Sequence, residues 1–273
     1  MTSTIGIIAG SGQFPRLVAR AAKAEGYRVV ICGFKGHTSE ELAGEADVFT
    51  ILALGQINKL IEFFRGNGVR RICMAGAISK PKALDIKPDF RAAKLLFKLR
   101  GLGDDAILRA LGEELAGEGL ELVQAADLVP GLIGPPGLLT KKAPNDEIWE
   151  AIRHGWPIGK TLGRMDIGQC LVLKRSMVVA VEAIEGTDAT LRRGGEQGGK
   201  GCVALKLLKP GQDLRLDLPS IGMGTIEILA EYGYSCLAYE AGKTLFFDRE
   251  AAVALANRRG IVVIGMNEDD LEH

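Results

Sequence analysis

The residues best suited to chemistry lie between Asp166 and Asp217. Asp166-Ile-Gly-Gln169 precedes an apolar run. Ala180-Val-Glu-Ala-Ile-Glu-Gly-Thr-Asp188 follows and sets Glu182 inside a strand-like stretch. A carboxylate there must be paired, protonated or on a metal, because burying it alone is costly. Glu185, Thr187 and Asp188 fall where that strand ends; Thr187 or Asp188 would equally serve to cap a following helix. Lys206-Leu-Leu-Lys209-Pro-Gly-Gln212-Asp213-Leu-Arg215-Leu-Asp217-Leu-Pro is the richest segment. Asp213, Arg215 and Asp217 alternate with Leu214, Leu216 and Leu218, a period-2 pattern that predicts a strand with the polar three on one face. Oxygen donors beside Lys206, Lys209 and Arg215 suit magnesium-assisted phosphoryl chemistry. Magnesium prefers carboxylate oxygen, water and phosphate, and arginine grips phosphate with two parallel hydrogen bonds. The plainer reading is a half-exposed strand with a surface ion pair.

A second candidate is Gly10-Ser11-Gly12-Gln13-Phe14-Pro15, which joins an apolar run to a helical pattern. Glycines let a backbone approach a phosphate, and a helix N-terminus offers free N–H groups. Pro15 suits the first helical turn. The loop is a poor dinucleotide fingerprint: Pro15 replaces the third glycine, and Cys32-Gly-Phe-Lys35 lacks the acid expected after the second strand. A tight turn would use the same glycines. A second loop, Ala75-Gly-Ala-Ile-Ser-Lys-Pro81, also follows a strand, and Lys80 and Lys82 could meet phosphate there.

Absences narrow the chemistry. Besides the terminal one, the histidines are His37 and His154, too few for a His-rich dinuclear centre. There is no GxxxxGK[ST] loop and no GxSxG elbow. Basic and acidic residues number 34 each, so no net field draws the chain to nucleic acid. Five cysteines stand singly, without a CxxC pair, which suits a reducing cytoplasm and small-hydrophobe roles. No apolar run approaches the ~20 residues of a membrane-spanning helix, and no leader is visible. The chain therefore reads as a cytoplasmic protein.

The elements that must position these residues follow a βαβ rhythm. Strands are predicted at 5–9, 28–32, 48–52 and 71–75, with helices at 16–25, 57–65, 90–100 and 104–116. This pattern implies a parallel sheet with covering helices. The Pro/Gly-dense stretch at 130–144 suits a linker. Beyond it a helix at 146–162, strands at 169–173, 177–183 and 203–208, a helix at 224–232, a strand at 235–239, a helix at 249–259 and a strand at 261–264 complete the reading. The fold class is α/β with two α/β domains: a Rossmann-like parallel sheet over 1–129, the linker, and a mixed α/β catalytic domain over 145–270. Residues 271–273 read as a tag remnant. The helical stretch at 90–103 is basic and greasy, which suits either an ordinary packed helix or one lying on an anionic membrane.

At the Gly10 loop, the Asp166 and Ala180 motifs and Gln212-Asp-Leu-Arg-Leu-Asp-Leu-Pro219, the sequence resembles the UDP-2,3-diacylglucosamine pyrophosphatase family of the LpxI type, in order and along essentially the whole chain. The resemblance implies two α/β domains with the lipid substrate between them. It implies hydrolysis of UDP-2,3-diacylglucosamine to UMP and 2,3-diacylglucosamine 1-phosphate (lipid X) in lipid A biosynthesis, with water directed at the β-phosphorus. It carries catalytic roles to Asp217, Asp188, Asp213 and Arg215, and Mg2+ to Asp217 and Asp213. The substrate is then met by residues among Gly10, Ser11, Gly12, Gln13, Pro15, Lys80, Asp166, Gln169, Glu182, Glu185, Thr187, Lys206, Lys209 and Gln212. Peripheral contact with the inner membrane and a homodimer are further expectations. Two rivals stand beside this reading: a nicotinamide-dependent oxidoreductase, undercut by the missing acid, and a nucleotide-sugar or lipid-binding module without turnover.

Overall fold

The computed structural model describes residues 3–78, 87–98 and 104–271. The chain divides into two compact units, Met1–Pro130 with Asp213–Asp217, and Gly131–Gln212 with Leu218–His273.

The first unit contains β1 (Thr4–Ala9), α1 (Phe14–Ala24), β2 (Arg28–Phe34), β3 (Val48–Leu52), α2 (Ile57–Gly66), β4 (Arg71–Ala75), α3 (Phe90–Lys98), α4 (Asp104–Gly117) and β5 (Glu121–Leu122). Its sheet has the order β3-β2-β1-β4-β5, and every neighbouring pair is parallel. Parallel strands covered on both faces need continuous apolar runs; accordingly Ile5, Ile7, Val29, Val30 and Ile31 are fully buried. The chain steps outward from β1 to β3, then crosses back to place β4 on the other side of β1. That reversal makes the carboxyl ends of β1 and β4 the topological switch point.

The second unit contains β6 (Gly137–Leu138), α5 (Asp146–Arg164), β7 (Cys170–Lys174), β8 (Met177–Val181), α6 (Thr187–Gly198), β9 (Val203–Lys206), β10 (Ser220–Ile221), α7 (Met223–Tyr232), β11 (Cys236–Glu240), β12 (Leu245–Phe246), α8 (Arg249–Arg259) and β13 (Val262–Met266). Its main sheet runs β6-β13-β11-β9-β7-β8. The central β9, β11 and β13 are parallel, and β6, β7 and β8 pair antiparallel. Side chains alternate between the faces. Leu171, Leu173 and Leu205 pack with Ile152 and Trp156 of α5. Val172, Ala204 and Leu237 pack with Leu191, Ile226 and Ala252 of α6, α7 and α8. Among the described residues no helix is long and apolar enough to cross a membrane.

Three features differ from the sequence reading. Residues 214–216 form a turn and not part of a strand. The alternating leucines arise because this excursion folds with the first unit, where Leu216 packs against the core. Glu182 lies one residue beyond β8 and not within it. Helix α6 occupies 187–198, where no helix is predicted from the sequence. The Pro/Gly stretch at 130–144 also contributes β6 to the second sheet, antiparallel to β13.

Candidate functional site

The second unit gathers its polar side chains at one edge of the sheet. The carboxyl ends of β9 and β11 lie there, with the start of β7, which runs antiparallel to β9, and the end of β8, which turns back antiparallel to β7. Helix α6 begins at the same edge, directly after β8. Ligands in such sheets bind at the carboxyl ends of strands.

Lys206, the last residue of β9, is 4% exposed, and Glu182 is 8% exposed. The Lys206 ammonium donates to the Thr187 hydroxyl, and its Nζ lies 3.6 Å from Glu182 Oε2. Thr187 in turn donates to Glu182 Oε1 at 2.9 Å. The backbone N–H of Gln169 reaches Glu182 Oε2 at 3.3 Å. A buried carboxylate thus has the pairing that burial demands, and a buried cation is held facing the sheet edge. Gly168 makes the arrangement possible: a Cβ there would lie 2.1 Å from the Glu182 carbonyl oxygen. The Oε1 atom of Gln169 is buried and accepts no hydrogen bond among the described residues.

Two further pairs border this cluster. Asp166, in the left-handed region at φ 55, meets Lys209 at 2.7 Å. Glu185 meets Arg193 at 2.5 Å; its own backbone N–H and then Arg193 hold its carboxyl below the usual carboxylate range. Asp188 is exposed in the first turn of α6, where a helix N-terminus favours negative charge.

The excursion Asp213–Asp217 belongs to the first unit. Arg215 folds back on Asp213. Its backbone N–H and Nε donate to Oδ1 at 3.0 Å, and Nη2 donates to Oδ2 at 2.6 Å. The Arg215 guanidinium therefore holds the Asp213 carboxyl below its ordinary value. Asp217 is exposed.

The front loop is organised differently. The Gly10 N–H donates to the Ala75 oxygen at 2.8 Å, and the Ser11 N–H and hydroxyl donate to the Ala77 oxygen at 2.7 and 2.9 Å. A Cβ on Gly10 would lie 2.5 Å from the Ala77 oxygen. Gly10 and Ser11 are committed to the neighbouring loop, and Pro15 is buried in the first turn of α1. Gly12 and Gln13 are exposed. Lys80 and Lys82 lie outside the described residues.

Residues 4–132 match the model of the LpxI N-terminal domain, and residues 135–264 match that of the LpxI C-terminal domain. The chain belongs to the LpxI family. A curated relative of this LpxI-family chain is the UDP-2,3-diacylglucosamine pyrophosphatase LpxI of Caulobacter vibrioides. It is 34% identical over 280 residues, covering 97% of this chain and 98% of the relative. Among solved structures, N5-carboxyaminoimidazole ribonucleotide synthetase from Thermotoga maritima aligns at 14% identity and a TM-score of 0.26, covering 66% of this chain and 41% of that one. Glycinamide-RNase-transformylase T from Mycobacterium tuberculosis aligns at 14% identity and a TM-score of 0.27, covering 66% and 44%. The LpxI-family chain thus spans less than half the length of those two proteins.

Sequence reasoning missed Lys160 and Glu240. Glu240 ends β11 and is 3% exposed. It contacts the Lys160 ammonium and accepts from Lys243 at 2.9 Å and from the Leu208 N–H at 3.0 Å. Burial alone would raise its pKa, but the two lysines outweigh burial and hold it low. An acid closing an otherwise apolar strand run was the one available signal, as it had been for Glu182.

Proposed function

We propose that this enzyme hydrolyses the pyrophosphate of UDP-2,3-diacylglucosamine to UMP and lipid X in lipid A biosynthesis, with water attacking the β-phosphorus. Family membership along both units supports the substrate and the reaction class. The observation that carries the chemistry is Lys206. It is a nearly buried cation at the carboxyl edge of a parallel strand, oriented by Thr187 and Glu182. Attack by the water oxygen forms a new bond to the β-phosphorus. The bond from the β-phosphorus to the bridging oxygen breaks, and UMP departs with its electron pair. A preformed cation in a place poor in water stabilises that developing charge far better than one in solvent. Lys209 adds a second cation nearby in sequence, and the Gln169 oxygen offers an acceptor to a sugar or base donor.

Magnesium belongs to the proposal, and the residues bear on how it would be held. Among the described residues no group of three or more His, Cys, Asp or Glu is arranged to hold a metal ion. Magnesium commonly takes one or two carboxylates and completes its shell with water and substrate phosphate. The exposed carboxylate of Asp217 fits that habit. Asp213 would join it only on release from Arg215. When bound, the ion would neutralise pyrophosphate charge.

The test is product formation from UDP-2,3-diacylglucosamine with magnesium or with EDTA in ¹⁸O-labelled water, for wild type and Asp217→Ala. Magnesium-dependent UMP release with label in lipid X is expected, and Asp217→Ala should lose at least ~10³-fold in kcat. Label in UMP would move the attack to the other phosphorus. Binding without turnover in the wild type would leave a ligand-binding module.

Where the enzyme meets its lipid is a smaller part of the same proposal. Helix α3 contains no acidic residue, and its outward face presents Phe90 (85% exposed) and Phe97 (79% exposed) beside Lys94 and Lys98. Aromatic and cationic side chains on one face suit an anionic lipid surface. Co-sedimentation with phosphatidylglycerol vesicles should weaken in a Phe90→Ala/Phe97→Ala double variant, and equal binding by both proteins would exclude this face.

A further inference from the structure

The excursion Asp213–Asp217 leaves the second unit after Gln212 and returns at Leu218. Both of its stems are gripped by the segment 240–247, which begins at the last residue of β11, with help from α5 on the outgoing side. On the outgoing side, Glu240 accepts the Leu208 N–H at 3.0 Å, while Lys160 donates to the Leu208 carbonyl at 3.2 Å. Both peptide groups of Leu208 are thereby held by one buried ion pair. On the returning side, the Leu245 N–H donates to the Pro219 carbonyl at 2.8 Å, and the Phe247 N–H donates to the Ile221 carbonyl at 2.9 Å. Strand β12 also pairs with β10 in parallel register, Ser220 with Leu245 and Ile221 with Phe246. The link between the two grips is itself tied, because the buried Thr244 hydroxyl donates to the Glu240 carbonyl at 2.9 Å.

Helix α5 supplies the floor under the outgoing stem. A Cβ on Gly159 would lie 2.7 Å from Leu207 Cδ1, and one on Gly163 would lie 3.1 Å from Lys209 Cα. These two glycines, one helical turn apart, let α5 lie directly against 207–210. Lys160 sits between them in sequence and reaches Glu240 from the same helix. An isolated buried ion pair is weak evidence for stability. This one differs because, besides the contact of Glu240 with Lys243, the pair holds both the N–H and the carbonyl of Leu208, at the root of the loop.

We infer that Glu240 and Lys160 are positioning residues: their grip on Leu208, with the β10–β12 pairing on the other stem, holds the two chain ends between which Asp217 lies. The inference rests on the reading that Asp217 acts in the hydrolysis. Small displacements of a reacting group are expensive, about 10²-fold in rate for ~1 Å, so a loop carrying such a group needs both ends fixed.

The test combines kinetics with hydrogen exchange on the full chain for Glu240→Leu, Glu240→Gln and Lys160→Met. Ile226→Ala, a core truncation in α7, is the control for lost stability alone. Glu240→Leu removes the acceptor for Leu208. It should speed amide exchange in peptides covering 207–219 and lower kcat by about 10- to 100-fold, with KM within about two-fold. Glu240→Gln keeps an acceptor oxygen and should recover most of kcat. Lys160→Met should resemble Glu240→Leu, and it carries the test if Glu240→Leu does not fold. Ile226→Ala should lower Tm while leaving kcat per folded molecule unchanged. Unchanged exchange over 207–219, an unchanged kcat in both Glu240→Leu and Lys160→Met, or a kcat loss matched by the control would overturn the inference. So would Glu240→Gln failing as badly as Glu240→Leu, which would assign the effect to charge. A wild type that turns over no substrate would defeat the reading of Asp217 instead, and the exchange arm would still decide whether the grip exists.

Discussion

The two units present the same topological feature, the carboxyl edge of a parallel sheet, and complete it in opposite ways. In the first unit the edge is closed by backbone: Gly10 and Ser11 hydrogen-bond to Ala75 and Ala77, with no charged side chain in the contact. In the second unit the edge is closed by buried charge: Lys206 with Glu182, and Lys160 with Glu240. Backbone pairing fixes geometry cheaply, since each peptide group must find a partner anyway. Buried ions are costly and persist where geometry pairs them fully.

Lys206→Met should sharpen the contrast most. It removes the buried cation while keeping much of the apolar stem, and kcat should fall by roughly 10²- to 10³-fold, the loss typical of deleting one preorganised donor. Ser11→Ala at the other edge should change kcat by less than about ten-fold, because its N–H still reaches Ala77. Steady-state kinetics on the pair checks both, and equal losses would erase the distinction. Next in size are the glycines of close approach. Gly168→Ala and Gly10→Ala each force a Cβ to within 2.1 Å and 2.5 Å of a carbonyl oxygen, and overpacking of that kind costs about 1–3 kcal/mol or more. Both should lower Tm in a thermal melt. Gly168→Ala should also lower kcat of the folded fraction, because the atom it strikes belongs to the Lys206 counter-ion.

Much of this organisation was legible beforehand. The apolar runs at 5–9 and 28–32 fall in β1 and β2, which are buried almost throughout, because parallel strands covered on both faces admit little polarity; the run at 48–52 is β3, half-buried at the sheet edge. The motif residues Gln169, Glu182, Thr187 and Lys206 do converge, at or next to strand and helix ends, and Asp166 pairs with Lys209 in the adjoining loops. The failures have local causes. Thr187 or Asp188 offers a helix cap in the sequence, but no helix is predicted behind it; Gly194 and Gly195 let α6 close on Val172 and Tyr232, where a Cβ would sit 2.8 and 2.5 Å away. The leucines around Arg215 mimic a strand, yet all three are half-buried in or beside a turn, with Leu216 against the core of the first unit. Lys160 and Glu240 were invisible because their pairing joins a helix to a strand 80 residues away, and local patterning has no access to such contacts.

The smallest expected effect is a difference in acid response. Both units contain carboxylates held below their ordinary values. In the first, Glu45 is lowered by its hydrogen bond from Arg20, at 2.6 Å and with that arginine mostly exposed; Glu118 is lowered by Arg91 at 2.7 Å. In the second, Glu240 is lowered despite burial. A depressed folded pKa means that the unfolded chain binds protons first. The stabilisation is therefore complete above the ordinary glutamate value of about 4.3 and is lost as pH falls below it, through the depressed folded value. Both units should lose stability on that acid side, and neither should change near neutrality on this account. Salt separates them. Exposed pairs are screened within a Debye length of roughly 8–10 Å at physiological ionic strength, whereas a buried pair is screened much less. Hydrogen exchange, followed for each unit against pH at low and high salt, should show added salt flattening the acid slope of the first unit and leaving most of that of the second. Glu240→Gln should remove the salt-resistant part. An equal salt response in both units would mean that solvent reaches the Glu240 pair as freely as the surface ones, and the division between a backbone-closed and a charge-closed edge would lose its electrostatic half.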